Sequence, residues 1–211
     1  MPEILKADSN KSQETLLARA AEILAAGGIL AYPTETFYGL GADATNEKAI
    51  RKIYAIKGRN FNSPISVIID KKENLCPLVE EVPAVAQKLM QAFWPGALTI
   101  IFKAAAGISP ILSASTGKIG IRISSHPVAG ALALSLGGPL TATSANMSGA
   151  AECSTAADVL RQIGDKIDAV IDCGETAGKK GSTIIDVTFH PPQILREGVI
   201  SKKTIEKYID V

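Results

Sequence analysis

Short apolar runs rich in branched residues alternate with amphipathic helical patterns along almost the whole chain, and this alternation constrains the fold more than any single motif. Ser12 can cap a helix whose apolar positions Leu16, Leu17, Ala20, Ile23 and Leu24 recur at helical spacing; Gly27-Gly28 ends it, and Ile29 to Tyr32 reads as a strand. Asn46 caps a second helix bearing Ile50, Ile53 and Tyr54, and Pro64 to Ile69 is a buried strand. Pro83 opens a third, with Val85, Leu89 and Phe93 on one stripe and Trp94-Pro95-Gly96 as its stop, before strands at Leu98 to Phe102 and Ile119 to Ile123. A helix from His126-Pro127 to Leu136 ends at Gly137-Gly138, a short strand starts at Leu140, and a helix from Thr155 to Ile163 leads to a strand at Ala169 to Asp172. Ser182 to Asp186 and Ile194 to Gly198 add a strand and a strand with its turn, ahead of a short helix from Ser201 with Ile205, Tyr208 and Ile209 inward. The expectation is an α/β fold, an open twisted mixed sheet with flanking helices whose last strands are antiparallel. At 211 residues and 46% hydrophobic content, one domain over residues 1–211 can bury a sizeable core.

The charge balance, 22 basic against 21 acidic residues, gives no bulk drive toward nucleic acid or anionic lipid, although a local basic patch is compatible with it. Cys76, Cys153 and Cys173 are widely separated, and only His126 and His190 could join them, so neither a zinc site nor a disulfide framework is expected. The opening MPEILKADSNKSQ has no cationic segment leading into an apolar core, and the apolar segments are too short for a membrane span. A reducing cytoplasm is the expected location.

Several stretches carry chemistry. Lys57-Gly58-Arg59 places two cations around a glycine where a helix gives way to a strand: arginine can donate two parallel hydrogen bonds to phosphate while lysine acts as a mobile point charge, and the glycine opens room for a ligand. The same tripeptide also suits a helix C-terminus, where cations complement the dipole. Pro33 to Gly41 packs Thr34, Glu35, Thr36, two aromatics and two glycines into a loop that serves either a ligand or its own backbone turns. Ser144 and Asn146 offer a hydroxyl and an amide two residues apart, for phosphate, ribose or a turn. Arg122 lies between Ile121 and Ile123; on a buried face it needs an anion, which a substrate carboxylate could supply, and on an exposed face it needs nothing. Trp94 reads as a core plug rather than a stacking platform, and His126 as a cap rather than a base. The glycine- and lysine-bearing loop Gly174 to Gly181 is placed to close over a ligand.

Taken in order, YPTETFYGLG, KGR, WPGALT, GIRI, TSANMSG, GSTIIDVT and ILREG resemble the motifs of the YrdC/TsaC-like threonylcarbamoyl-AMP synthases, in the short, single-domain form. That resemblance implies a YrdC-like open sheet with a concave basic cavity, and a reaction joining L-threonine, bicarbonate and ATP into threonylcarbamoyl-AMP and pyrophosphate for the threonylcarbamoyladenosine modification of tRNA. It implies an ATP-binding set of Lys57, Arg59, Ser63, Ser144, Asn146 and Arg196, with Lys57 and Arg59 as the catalytic cations. It also implies a threonine-binding set of Thr34, Thr36, Arg122 and Ser182, Mg²⁺ with ATP, whether or not protein side chains also hold it, weak tRNA binding, and a downstream threonylcarbamoyl transferase complex as partner. The chain departs from the family pattern at Asn60, where many relatives carry proline, and at Ile68, where a histidine near threonine would fall. Two other activities share the resemblance: an RNA-binding module without adenylate synthesis, and a carbamoyl-AMP-handling domain of the kind found in hydrogenase maturation proteins.

Overall fold

The computed structural model describes residues 1–6 and 12–211; residues 7–11, inside the opening stretch inspected above for a leader, lie outside the described residues. The elements in chain order are β1 (Glu3–Lys6), α1 (Gln13–Ala25), β2 (Leu30–Tyr32), β3 (Gly39–Gly41), α2 (Glu47–Lys57), β4 (Val67–Ile68), α3 (Ala84–Phe93), β5 (Leu98–Lys103), β6 (Lys118–Arg122), α4 (Pro127–Leu136), β7 (Leu140–Thr141), β8 (Thr143–Ser144), α5 (Ala156–Ile163), β9 (Ala169–Asp172), β10 (Thr183–Asp186), β11 (Gln193–Arg196) and α6 (Lys202–Ile205). The caps behave as their residue types require. Ser12 Oγ accepts from Thr15 N, Asn46 Oδ1 accepts from the amides of Lys48 and Ala49, and Thr155 forms a reciprocal capping box with Asp158.

Instead of one open sheet, the described strands form two mixed sheets, ordered β1-β9-β2-β3-β8 and β11-β10-β5-β6-β4-β7. The strand hidden from pattern reading is β3. Its sequence, Gly39-Leu40-Gly41, looks like loop, yet it pairs antiparallel with both β2 and β8. Glycine is needed here because a Cβ at Gly39 or Gly41 would lie 2.9 or 3.0 Å from the ring of Tyr32. Strand β1 was also absent from the sequence reading; it runs parallel to β9 at the sheet edge.

The larger apolar cluster joins Ile50, Ile53 and Tyr54 of α2 to Leu98, Ile100 and Phe102 of β5 and to Val170 of β9, so it bonds the two sheets to one another. A smaller cluster joins Leu16, Ala20 and Leu24 of α1 to Val128 and Leu132 of α4. Trp94 is a core residue, its Nε1 donating to the carbonyl of Leu98 at 2.7 Å. Tyr208 is not inward as expected: α6 stops at Ile205, and the following turn leaves Tyr208 47% exposed with its ring edge-on to Phe93. Among the described residues no helix is long and apolar enough to cross a membrane.

Candidate functional site

A cavity of about 300 Å³ opens between the two sheets, walled by β3 and β8 on one side and by β5, β6, β10 and β11 on the other. Thr34, Thr36, Lys57, Arg59, Arg122, Ser144, Asn146, Ser182 and Arg196 all line it, though they are spread over most of the sequence. Ser63 does not: its carbonyl accepts from the Tyr54 hydroxyl at 2.9 Å, which draws it back toward α2. Four cations, Lys57, Arg59, Arg122 and Arg196, line this wall together with the carboxylate of Glu152, and Glu35 pairs with Arg122 behind it.

Lys57 is the last residue of α2 and only 4% exposed. Gly58 follows in the left-handed conformation, φ 59°, and terminates the helix, so the chain reversal by itself requires glycine here. Lys57 is equally unlike the mobile charge expected. Its Nζ donates to the carbonyls of Ser144 at 2.6 Å and Asn146 at 2.9 Å and to Asn146 Oδ1 at 3.2 Å. Ser144 Oγ donates to the same Oδ1 at 2.6 Å, and Asn146 Nδ2 donates to the Ala150 carbonyl at 2.7 Å. The lysine thus fixes the shape of the Ser-x-Asn loop as well as its charge. Burial, and then the neighbouring Arg59, push its pKa down to about 8. Arg59 is half-buried on the rim, and its guanidinium makes no ion pair among the described residues.

At another part of the wall, Thr34 Oγ1 donates to the Phe37 carbonyl at 2.7 Å, accepts from the Thr36 amide at 3.1 Å and lies 3.0 Å from Thr36 Oγ1. The threonines turn their own backbone, and they also line the cavity. Arg122 is on the buried face of its strand, and the anion it requires comes from the protein, Glu35, 3.0 Å from Nη1. Neither strand periodicity nor motif spacing could reveal this, because Glu35 belongs to the other sheet. Arg196 closes a further corner, donating through Nε to the Ser182 carbonyl at 3.0 Å and through Nη2 to Ser182 Oγ at 3.1 Å; burial lowers its pKa. Ser66, Thr99 and Glu152 also line the cavity and were missed. The first two had a signal, a hydroxyl interrupting an apolar strand run; Thr99 Oγ1 sits 3.0 Å from Ser182 Oγ. His126 caps α4, its Nδ1 accepting from Val128 N, and takes no place on the wall.

The family model for Sua5/YciO/YrdC, described as telomere recombination, matches residues 22–198. The chain belongs to the Sua5/YciO/YrdC family. Within it, the threonylcarbamoyl-AMP synthase of Pyrococcus abyssi is 36% identical over 197 residues, 93% of this chain and 58% of that relative. The Bacillus subtilis threonylcarbamoyl-AMP synthase is 37% identical over 203 residues, 96% of this chain and 59% of that one. The crystal structure of P. abyssi Sua5 complexed with L-threonine superposes with a TM-score of 0.93 at 33% identity, covering 99% of this chain and 61% of its own. The chain therefore spans about three-fifths of the length of these Sua5/YciO/YrdC relatives. Of the two departures from the family pattern, Asn60 is exposed on the surface. Ile68 is fully buried in the apolar cluster with Val128 and Leu132 of α4, so position 68 adds no polar group to the cavity.

Proposed function

We propose that this member of the Sua5/YciO/YrdC family makes L-threonylcarbamoyl-AMP and pyrophosphate from L-threonine, bicarbonate and ATP. The observation that carries the proposal is the meeting, in one cavity, of Lys57, Arg59, Ser144, Asn146 and Arg196 with Thr34, Thr36, Arg122 and Ser182. The relatives named as threonylcarbamoyl-AMP synthases and the threonine-bound Sua5 structure support the choice of substrates. The threonine amine takes up bicarbonate carbon as a carbamate, losing water; a carbamate oxygen attacks the α-phosphorus, and the α–β bridging oxygen leaves with pyrophosphate. Because the nucleophile belongs to the substrate, no protein nucleophile is needed. The protein must align two mutually repelling anions and stabilise the charge gathering on the leaving group.

In this assignment Arg59 and the Lys57-braced loop hold the phosphates, with Ser144 and Asn146 as the neutral donors, and Arg196 holds the nucleotide from the opposite wall. Thr34, Thr36, Arg122 and Ser182 hold the amino acid. Among the described residues the cavity wall offers one carboxylate, Glu152, and no group of three His, Cys, Asp or Glu side chains gathers, so a magnesium ion here draws most of its ligands from the substrate's phosphates. Mg²⁺ accompanies ATP as part of the substrate, and none of the protein's steps is assigned to it. Weak, phosphate-driven tRNA contact and hand-over to a threonylcarbamoyl transferase complex complete the role, with the cytoplasm as its setting.

The test is product mass. The pure protein incubated with ATP, L-threonine and ¹³C-bicarbonate yields threonylcarbamoyl-AMP one mass unit heavier than with ordinary bicarbonate. The absence of that adenylate, or its formation without threonine, refutes the assignment.

A further inference from the structure

Glu35 sits in the loop between β2 and β3 of one sheet and Arg122 ends β6 of the other, so their contact links the two sheets beside the cavity that Arg122 lines. Both side chains are largely buried, 15% and 6% exposed. Glu35 is itself held in place: its Oε2 accepts from Ser124 Oγ, and that hydroxyl accepts from the His126 amide at 3.1 Å. On the arginine side the contact is one of charge at Nη1, 3.0 Å from Glu35 Oε1, rather than an aligned hydrogen bond. Arg122 Nε is buried with no hydrogen-bond partner among the described residues. A guanidinium presents five donors in a rigid fork, and a buried charged donor left unpaired is a group awaiting an acceptor. Glu35 consumes one edge of that fork while leaving Nε unpaired.

We propose that Glu35 is a positioning residue, pinning the Arg122 guanidinium from the other sheet so that its remaining donors meet the carboxylate of the bound amino acid. This rests on the threonine-binding reading of the site above. Without the anchor, a long arginine side chain samples several rotamers, and ordering it on binding subtracts from affinity. The consequence is specific: Glu35 governs how well the site recognises a carboxylate, and leaves nucleotide binding alone.

Calorimetric titration with L-threonine, L-threoninamide and ATP separates these effects, since the amide removes only the carboxylate charge. The native protein prefers threonine over threoninamide by about tenfold or more, as expected for loss of a charge-assisted pair. In Glu35→Gln that preference shrinks severalfold while the ATP dissociation constant is unchanged. Ser124→Ala, which removes the second tether on Glu35 together with the acceptor of the His126 amide, shifts the preference in the same direction by less, and serves should Glu35→Gln fail to fold. An undiminished preference in a folded Glu35→Gln, or in Ser124→Ala when that is the variant measured, overturns the positioning role. Equal weakening of all three ligands overturns it too, since that marks a general structural defect. Native protein that binds ATP but neither amino-acid ligand overturns the threonine-binding reading and the positioning role with it.

Discussion

Lys57 reaches Asn146 twice, its Nζ lying 2.9 Å from the backbone oxygen and 3.2 Å from Oδ1 of the same residue. With the bond to the Ser144 carbonyl, this ties the end of α2 to the loop after β8, so one side chain both carries charge and shapes the donors beside it. Replacing it by methionine keeps length and removes every donor. Lys57→Met is expected to lose about 1–3 kcal/mol of stability, because buried carbonyls are left unpaired, and to lose ATP binding as well. Urea unfolding and calorimetric titration check the two losses, and Lys57→Arg is expected to restore neither, since a planar fork cannot reproduce three converging bonds from one nitrogen.

Arg59 provides the contrast. Its rim position and the lack of an ion pair predict that Arg59→Ala unfolds within about 0.5 kcal/mol of the native protein. Pyrophosphate release is expected to fall by about 10²- to 10³-fold, the typical cost of deleting one donor to developing charge. Parallel denaturation and turnover measurements decide this; a stability loss as large as that of Lys57→Met would remove the distinction between the two cations.

The depressed pKa of Lys57, about 8 against an ordinary 10.5, has opposite effects on folding and on binding. Between these values the unfolded chain holds more protons than the fold, so this group's contribution to stability rises with pH across about 8 to 10.5, and the cost of burying the cation is fully present below 8. Phosphate binding runs the other way, because the cavity loses a positive charge as pH passes through about 8. The last ionisation of a terminal phosphate, at about pH 6, is already complete. Affinity for ATP measured without threonine is therefore expected to weaken between about pH 7 and 9, and a flat profile contradicts the assignment of that charge to the phosphate end.

The elements were legible where local chemistry dictates them. Ser12, Asn46 and Thr155 cap helices because short polar side chains reach free amides, and the apolar stripes of α1 and α2 face the core. What could not be read was partnership across distance. The first sheet continues past β2 only through β3, which pairs with β2 and β8, and nothing in Gly39-Leu40-Gly41 announces a strand. In the same way, Lys57, Arg122 and Arg196 were visible as cations, whereas their partners are distant in sequence: Glu35 comes from the other sheet's side, Asn146 from the loop after β8, and Ser182 from the start of the strand paired with β11. Ser63, part of the set that the resemblance implies, is not among the residues on the cavity wall, and its carbonyl accepts from the Tyr54 hydroxyl.

Gly198 tests that long-range architecture from outside the chemistry. A Cβ there would lie 2.1 Å from the Gly181 carbonyl oxygen and 2.6 Å from the Ser182 carbonyl carbon, both backbone atoms. Gly198→Ala must displace the 181–182 segment and with it the contact between Ser182 and Arg196. It is expected to cost about 1–3 kcal/mol of stability by overpacking and to weaken ATP binding, which thermal unfolding and titration measure. Native-like values for both would mean that this segment yields without moving the site.

The central claim is that the cavity brings a threonine-derived carbamate in line with the α-phosphorus of ATP. The most direct measurement is the position and coupling of ATP cleavage, by quantifying pyrophosphate, ADP and orthophosphate in reactions with and without threonine. The account predicts one pyrophosphate for each threonylcarbamoyl-AMP formed, no ADP, and no cleavage when threonine is omitted. Cleavage to ADP and orthophosphate, or pyrophosphate release that continues without threonine, would contradict it.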